Sequence, residues 1–420
     1  MASPTTSASE SMQQKQSTQQ SNKPKQPQHK HDRLITRDMA LVMLATFCFM
    51  SSNMLANPIV AGYAESLGAS GMLMGVVAGS MSFISLFCRP IAGNLSDRTS
   101  KRTLVAAGTV LYFAAGLLYY FADSPIMLIM ARVINGVGFA CCSVCLATWM
   151  SLLLPIRHMG AGMGLYGTMN ALAMAVGPAF GIRTQKYIGY RLTFLSSLVL
   201  AAIMLIATLM VKNGGQPVRK KQTSISATKK HRFSIRSILE PRVVPLSLTF
   251  MMFAIAYFAN QSFIVNYVQS RHLPVSSDLF FMFYAVALLV LRLGLRDLFD
   301  SKGFRFWLTV CSLGMLAMLA CMTFLFNDWM LLLAAIFTAV GYGLMSSVTQ
   351  AQAVVIAGRE RSGIANSTYY AGIDLGMSVG PFVGGLVYGR LSAVWFYPVF
   401  MLAMPVAWLI YLLCVKRVSR

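Results

Sequence analysis

Long apolar runs alternate along this chain with short segments that are rich in polar and basic residues. Each run has about 20 residues, the length at which an α-helix crosses the hydrocarbon core of a bilayer while satisfying its own backbone amides. The pattern therefore predicts an all-α membrane protein with twelve transmembrane helices. The predicted helices cover residues 39–61, 71–92, 103–122, 126–148, 160–182, 191–212, 243–266, 277–295, 307–326, 329–354, 363–388 and 394–415.

Motifs in the two halves of the chain repeat at a constant separation of 203 residues. A fixed separation that holds for loop charges as well as for glycines and prolines indicates a duplicated unit. We predict two pseudo-symmetric six-helix bundles; chance matching between glycine-rich membrane helices is the alternative. The matched pairs are Asn57 and Asn260, Arg89 and Arg292, Leu95 and Leu298, Asp97 and Asp300, Arg102 and Arg305, Gly138 and Gly341, Gly160 and Gly363, Tyr166 and Tyr369, Gly177-Pro178 and Gly380-Pro381, and Gly181 and Gly384.

Polar segments divide the chain into five regions. Residues 1–37 are rich in Ser, Thr, Gln and Lys and are predicted to be a disordered tail. The predicted bundles, 38–212 and 243–415, are joined by a linker at 213–242, and 416–420 form a basic tail. Placing both tails on one side puts 29 Lys and Arg residues there and 5 on the other, which predicts cytoplasmic termini.

The linker mixes basic and apolar residues over 229–240. This pattern predicts a short helix that lies on the anionic inner leaflet of the lipid bilayer. Binding of a calmodulin-like partner is the alternative.

Composition excludes a soluble globular protein. Hydrophobic residues make up 56% of the chain, charged residues 11%, and the mean hydropathy is +0.61. The net charge of +22 lies in loops and tails, so no nucleic-acid partner is expected. The eight cysteines lie in apolar runs, and no nucleotide-binding loop, hydrolase elbow or zinc-binding helix motif occurs. We expect a monomer in the cell membrane that is not an enzyme and has no cofactor or metal.

The loop between the second and third predicted helices carries a glycine, an acidic residue and three basic residues at fixed spacing. The pattern is Gly93-x-Leu95-x-Asp97-Arg98-x-x-Lys101-Arg102. It resembles the signature loop of the major facilitator superfamily, with Ser100 in place of the usual glycine. The resemblance extends from about residue 38 to 415 and implies the fold of that superfamily, with transport by alternating access.

The resemblance implies that Asp97 is a latch on the cytoplasmic side. Its implied partner is the start of the eleventh helix, near Ser362 and Gly363, and Asp300 is its counterpart in the second copy. A carboxylate can interact there with the positive end of a helix. The alternative is that the three basic residues of the loop only set the topology.

Two Gly-Pro motifs and one arginine motif narrow the resemblance to drug/proton antiporters. Residues 132–138 resemble the motif of helix 4, and the Gly-Pro motifs resemble the antiporter motif, with Ala173 and Ile182 in place of its first and last glycines in helix 5. We expect helices 5 and 11 to be bending or closely packed elements at the interface of the halves; plain kinks are the alternative. The motif residues are Gly177, Pro178, Gly181, Gly376, Gly380, Pro381 and Gly384.

Arg132 and Asp374 are the charges that lie most clearly within predicted helices. A charge at the bilayer centre costs about 2.5–3.5 kcal/mol, so each must face a cavity or a partner. Burial disfavours a charged carboxylate, so Asp374 is a candidate for proton coupling. Arg132 either acts on nearby acids or a substrate anion, or packs against backbone carbonyls. Their matched positions are Ala335 and Ala171, so these charges occur once per chain.

Polar residues at helical positions predict an amphipathic central cavity. Together these patterns predict a proton-coupled antiporter that exports small amphipathic compounds or metabolites. The alternatives are a proton-coupled importer of a small nutrient or metallophore, and a transporter-like sensor that moves no substrate. The predicted cavity residues are Asn53, Asn57, Tyr166, Asn170, Asn260, Gln261 and Tyr369.

Overall fold

The computed structural model of the protein describes residues 36–154, 159–216, 239–295, 298, 302–358 and 361–418. Arg37–Arg420 forms one compact unit, and the other unit, Met1–Thr36, lies almost wholly outside the described residues. Three predictions lie wholly or mostly outside them: the disordered tail, of which only residues 36 and 37 are described, the linker helix, of which only 239 and 240 are described, and the role of Asp300.

Helices form every regular element of the described residues. The first half contains α1 (Arg37–Ala56 and Val60–Ser66), α2 (Gly71–Arg98), α3 (Lys101–Tyr120), α4 (Pro125–Leu153) and Met159–Met210, which Gly189 divides into α5 (159–188) and α6 (190–210). The second half contains α7 (Val244–Ser270), α8 (Ser277–Gly294), α9 (Phe304–Thr323), α10 (Asp328–Thr338, the π-helical Ala339–Leu344 and Met345–Ala357), α11 (Ser362–Arg390) and α12 (Phe396–Met401 and Ala403–Val418).

Two local features differ from the predicted helices. The chain turns between Ala56 and Val60, because Pro58 has no amide hydrogen and its ring clashes with the preceding helical turn. The predicted loop at 183–190 is helical up to Gly189, whose φ of 78° favours glycine. The junction of α5 and α6 is therefore a bend and not a loop.

Helix bounds repeat with the period of the sequence. Lys101–Tyr120 and Phe304–Thr323 lie 203 residues apart at both ends, and α4 and α10, like α5 and α11, begin at that separation. Ser124 and Asn327 occupy matched N-cap positions, and each accepts a hydrogen bond from an amide three residues later. Such caps satisfy backbone groups that the helix itself cannot, so local sequence fixes these starts.

Ten helices among the described residues are long and apolar enough to cross a membrane, judged by length and composition. One of them, Leu165–Met210, contains 46 residues and includes the bend at Gly189. Ser277–Gly294, with 18 residues, is not one of the ten. A multi-pass membrane protein follows; the number of twelve crossings and the cytoplasmic termini stay predictions.

Packing between helices also follows the repeat. Within the halves, α1 packs on α5 and α7 packs on α11. Between the halves, α2 packs on α11 and α5 packs on α8. Exchanging each helix for its repeat partner, six helix numbers away, converts the α1–α5 contact into α7–α11 and the α2–α11 contact into α5–α8. The two most extensive contacts between the halves are therefore related by the repeat, and α1 also meets α7.

Candidate functional site

An ion pair joins α2 to α11 inside the helical core. Arg89 Nη2 donates a hydrogen bond of 2.9 Å to Oδ1 of Asp374, and Arg89 Nε faces the second carboxylate oxygen. The Asp374 side chain is 1% exposed and that of Arg89 is 21% exposed. The rings of Phe139 and Tyr370 lie 5.5 and 5.9 Å from the guanidinium carbon and add cation–π contacts. The pair therefore connects the two halves through a buried carboxylate and a partly buried guanidinium.

Glycines allow α2 and α11 to approach closely at the end of α2 that lies away from Arg89. A Cβ atom at Gly71 would lie 2.4 Å from Gly389 Cα, and one at Gly75 would lie 2.6 Å from the Pro381 carbonyl oxygen. Side chains cannot approach backbone this closely, so glycine permits the contact. The two helices run antiparallel, and their contact extends along α2 from Gly71 to the ion pair at Arg89.

Arg132 is 1% exposed and lies between α4, α2 and α1. Its guanidinium donates to the carbonyl oxygens of Val77 at 3.3 Å and Ala78 at 2.7 Å, and to Asn57 Oδ1 at 3.1 Å. Among the described residues no carboxylate forms an ion pair with it. Of the two predicted roles, these contacts correspond to packing against backbone carbonyls.

The signature loop is anchored to the segment that follows α6. The amides of Lys101 and Arg102 donate to the carbonyl oxygens of Gly215 and Gly214 at 3.1 and 3.2 Å. Lys101 Nζ donates to the carbonyl oxygen of Ser96. Backbone hydrogen bonds thus hold the start of α3 against the first residues of the linker.

The predicted latch lies outside the described side chains. Neither the Asp97 side chain nor that of Ser362 is described, so the latch stays a prediction. Arg98 is exposed at the end of α2. A Cβ atom at Gly93 would meet no atom within 4 Å, so packing does not require glycine there.

The Gly-Pro motifs pack within each half. A Cβ atom at Gly181 of α5 would lie 2.4 Å from the carbonyl oxygen of Leu55 in α1, and one at Gly380 of α11 would lie 2.5 Å from that of Ile255 in α7. The expected close packing is present: these glycines face α1 and α7 within their own halves, while the Pro381 carbonyl oxygen meets Gly75 of α2 in the other half. The other motif glycines that face α1 or α7 are Gly177, Gly376 and Gly384, and Pro178 and Pro381 lie inside continuous helices.

The matched asparagines of the predicted cavity have different partners. Asn57 accepts from Arg132, as described above, whereas Asn260 Oδ1 accepts a hydrogen bond of 2.8 Å from the Tyr397 hydroxyl. Both are buried within their own half. The repeat thus predicted two matched polar positions but not the groups that bind them.

The remaining cavity candidates have different surroundings. Asn170 Nδ2 donates to the backbone oxygen of Tyr166 at 3.0 Å, and the Tyr369 hydroxyl contacts Ser346 at 2.9 Å. Gln261 Nε2 of α7 reaches Met54 Sδ of α1 at 3.6 Å. The polar side-chain atoms of Asn53, also on α1, are buried without a hydrogen-bond partner among the described residues.

Sequence reasoning missed two residues that connect the halves. The sequence analysis treated Arg89 only as a charge of the loop and of the repeat. Two signals could have identified it: a buried Asp374 requires a countercharge, and Arg89 has a matched arginine in the second half. Glu65 of α1 accepts hydrogen bonds from Asn266 Nδ2 of α7 at 2.5 Å and from the Tyr388 hydroxyl of α11 at 3.3 Å. No sequence signal pointed to that second contact.

Known proteins resemble all or part of this chain. The model of the Major Facilitator Superfamily matches residues 42–328 and 300–420. An uncharacterised MFS-type transporter of Methanocaldococcus jannaschii is 22% identical over 373 residues, which cover 86% of this chain and 92% of that protein. The synaptic vesicular amine transporter of Homo sapiens is 26% identical over 172 residues, 41% of this chain and 33% of that protein.

Solved structures share the fold. The crystal structure of a POT family transporter in complex with a thioalcohol-conjugated peptide matches with a TM-score of 0.72 and 12% identity, covering 91% of this chain and 97% of that chain. At this identity the likeness concerns the fold alone.

Proposed function

Because this chain belongs to the major facilitator superfamily and is a membrane transporter of that type, we propose that it is a proton-coupled antiporter that exports small amphipathic compounds across the cell membrane. Asp374 carries the proton in this proposal, and Arg89 is its countercharge. The observation that carries the proposal is the buried ion pair between α2 and α11.

The ion pair can link proton binding to helix movement. A charge near the bilayer centre costs about 2.5–3.5 kcal/mol, so Asp374 must be neutralised either by Arg89 or by a proton. While the pair is intact, its attraction holds α2 and α11 together. A proton on Asp374 removes that attraction, and the helices can then separate.

The location of the pair suits alternating access. Transporters with internal repeats expose a central site by moving one half against the other. Arg89 belongs to the first half and Asp374 to the second, so the pair can break and re-form in each cycle. A proton that crosses a potential of 100 mV supplies about 2.3 kcal/mol, enough for a concentration ratio of roughly forty.

The other candidate residues have supporting roles in this proposal. Arg132 donates hydrogen bonds to two carbonyl oxygens of α2 and so fixes the helix that carries Arg89. Asp97 and its counterpart Asp300 are the cytoplasmic latch. The buried amides of Asn53 and Gln261, on the facing helices α1 and α7, are available to polar groups of the substrate.

Flux in everted membrane vesicles tests the proposal. A panel of amphipathic fluorescent dyes is expected to accumulate in energised vesicles, and a protonophore is expected to abolish the accumulation. The Asp374→Asn variant should be expressed normally. Its rate of proton-coupled transport should fall at least about tenfold, because a neutral amide cannot exchange a proton. Asp123→Asn is the matched control, since Asp123 is 80% exposed and pairs only at the surface with Arg191.

Three results would contradict the proposal. Accumulation in the opposite orientation would favour the importer of a nutrient or metallophore. Absence of flux under every gradient would favour the sensor. Unchanged coupling in Asp374→Asn would remove Asp374 from the mechanism.

A further inference from the structure

A carboxylate near the end of α1 binds two residues of the other half. Glu65 accepts hydrogen bonds from Asn266 Nδ2 of α7 at 2.5 Å and from the Tyr388 hydroxyl of α11 at 3.3 Å. Hydrogen bonds to a charged acceptor are stronger than those between neutral groups. Because Glu65 belongs to the first half and both partners belong to the second, the contact joins the halves directly. We call these three residues the inter-half cluster.

Glycines allow the two halves to approach closely around the inter-half cluster. Gly62 lies one helical turn before the carboxylate, and a Cβ atom there would lie 3.5 Å from both terminal atoms of the Asn266 side chain. The residue after the tyrosine is Gly389, where a Cβ atom would lie 3.0 Å from Gly71 Cα at the start of α2. The polar contact therefore lies where the backbones of the two halves meet.

The glycines of α2 show how far its close contact with α11 extends. Cβ atoms at Gly71, Gly75 and Gly79, which all precede Arg89, would lie 2.4–2.6 Å from backbone atoms of α11. A Cβ atom at Gly93, which follows Arg89, would meet no atom within 4 Å. The described helices are thus closed against each other from the inter-half cluster to the ion pair.

The exposure of its members makes the inter-half cluster reversible. Asn266 is 1% exposed, Tyr388 is half-buried and Glu65 is exposed. Water can replace the partners of an exposed carboxylate, so the contact can break at a small net cost. The Oδ1 atom of Asn266 is buried without a hydrogen-bond partner among the described residues, and opening would give it access to water. The contact therefore favours the closed arrangement without locking it.

We propose that the inter-half cluster is the outer gate of the transporter. With the predicted cytoplasmic termini, α1 ends and α2 begins at the outer face of the membrane. A proton on Asp374 breaks the ion pair in the proposed mechanism, and opening toward the outside then also requires the hydrogen bonds of Glu65 to break. This inference rests on the movement of the halves in the proposed function, but it depends neither on the direction of transport nor on proton coupling.

Distances between the halves test the gate in the purified full chain in lipid nanodiscs, without substrate or gradient. Spin labels are attached to a ketone-bearing phenylalanine analogue at two positions, so the native cysteines stay in place. One pair of labels is at Phe121 and Phe324, which are exposed at the ends of α3 and α9 next to the cluster. The other pair is at Thr103 and Phe306, which are exposed near the opposite ends of the same helices. Double electron–electron resonance measures both distances.

Variants of the cluster should open the gate in a graded order. Glu65→Ala should shift the equilibrium from closed to open by about tenfold to hundredfold, the effect of losing a hydrogen bond to a charged group. The distance between the outer labels should then lengthen and that between the inner labels shorten, because the halves move against each other. Glu65→Gln keeps an acceptor without the charge and should shift the equilibrium less. Tyr388→Phe removes only the longer hydrogen bond and should have the smallest effect.

A second variant in the other half shows whether the two residues act as a pair. Asn266→Ala should shift the same equilibrium in the same direction as Glu65→Ala. Residues in direct contact are coupled, so the double variant should open the gate no further than Glu65→Ala alone. Asp123→Ala is the matched control, because Asp123 is 80% exposed at the same end and pairs with Arg191 of its own half. It should leave both distances unchanged.

Three results would overturn the proposal. The first is an outer distance that Glu65→Ala and Asn266→Ala both leave unchanged. The second is a lengthening of both distances together, which would indicate a loosened fold and not a gate. The third is an additive effect in the double variant. Each of these results leaves the flux test of Asp374 unaffected.

Discussion

The two halves of the molecule agree in backbone and differ in charge. α3 and α9 have matched bounds, and the motif glycines of α5 and α11 pack on α1 and α7 in the same way. At the same separation, however, Arg132 corresponds to Ala335 and Asp374 to Ala171. In the proposed mechanism both halves need the same framework in order to move against each other, whereas a single proton site serves the whole chain. The proposed proton site therefore lies at a position where the two halves differ in charge.

Substitution of the two matched arginines should give the largest difference in stability between the halves. Arg89→Ala leaves the buried Asp374 carboxylate without its partner and is expected to lower the free energy of unfolding by about 3–5 kcal/mol. Arg292→Ala, at the matched position, leaves no described carboxylate unpaired and should cost about 1 kcal/mol or less. Unfolding of the purified protein in mixed SDS and detergent micelles measures both.

A double variant provides the control for this contrast. Arg89→Ala combined with Asp374→Ala removes both charges, and it should be more stable than Arg89→Ala alone because no buried charge remains unpaired. Equal losses for Arg89→Ala and Arg292→Ala would show that the two halves differ less in charge than the ion pair indicates.

Matched glycines should, in contrast, have similar effects. A Cβ atom at Gly177 would lie 2.8 Å from Met54 Cβ, and one at Gly380 would lie 2.5 Å from the Ile255 carbonyl oxygen. Gly177→Ala and Gly380→Ala should each lower the free energy of unfolding by about 1–3 kcal/mol, because the helices must move apart. Thermal unfolding in detergent measures the loss.

Gly93→Ala is the control for the glycine pair. Nothing lies within 4 Å of a Cβ atom at Gly93, so the substitution should be neutral or raise stability by about 0.5–1 kcal/mol through helix propensity. A large effect of only one of the matched glycines would break the agreement between the halves.

Local patterns in the sequence predicted much of the framework. Apolar runs and their polar boundaries predicted where helices lie, because both signals act within a few residues. The break at Pro58 and the bend at Gly189 depend on single residues and changed the predicted bounds only locally. The 203-residue period predicted matched positions, and helix bounds follow it.

Partners across the fold could not be predicted in the same way. Asp374 was identified as a buried charge, but Arg89 lies 285 residues earlier and no local pattern connects them. Asn57 and Asn260 are matched in sequence, yet one binds Arg132 and the other Tyr397. The Gly-Pro motifs indicated close packing without indicating which helix they face. Tertiary packing decides each of these cases.

The smallest expected effect comes from the matched helix caps. Asn327 Oδ1 accepts from the Met330 amide at 2.9 Å, and Ser124 Oγ accepts from the Met127 amide at 3.4 Å. Asn327→Ala should therefore lower the free energy of unfolding by about 1 kcal/mol, and Ser124→Ala by about half as much, since the longer hydrogen bond is weaker. Asn327→Ser keeps a capping oxygen and should retain most of the stability. If Asn327→Ser and Asn327→Ala were equally destabilised, side-chain packing and not capping would fix the start of α10, and the matched starts of α4 and α10 would need a tertiary cause.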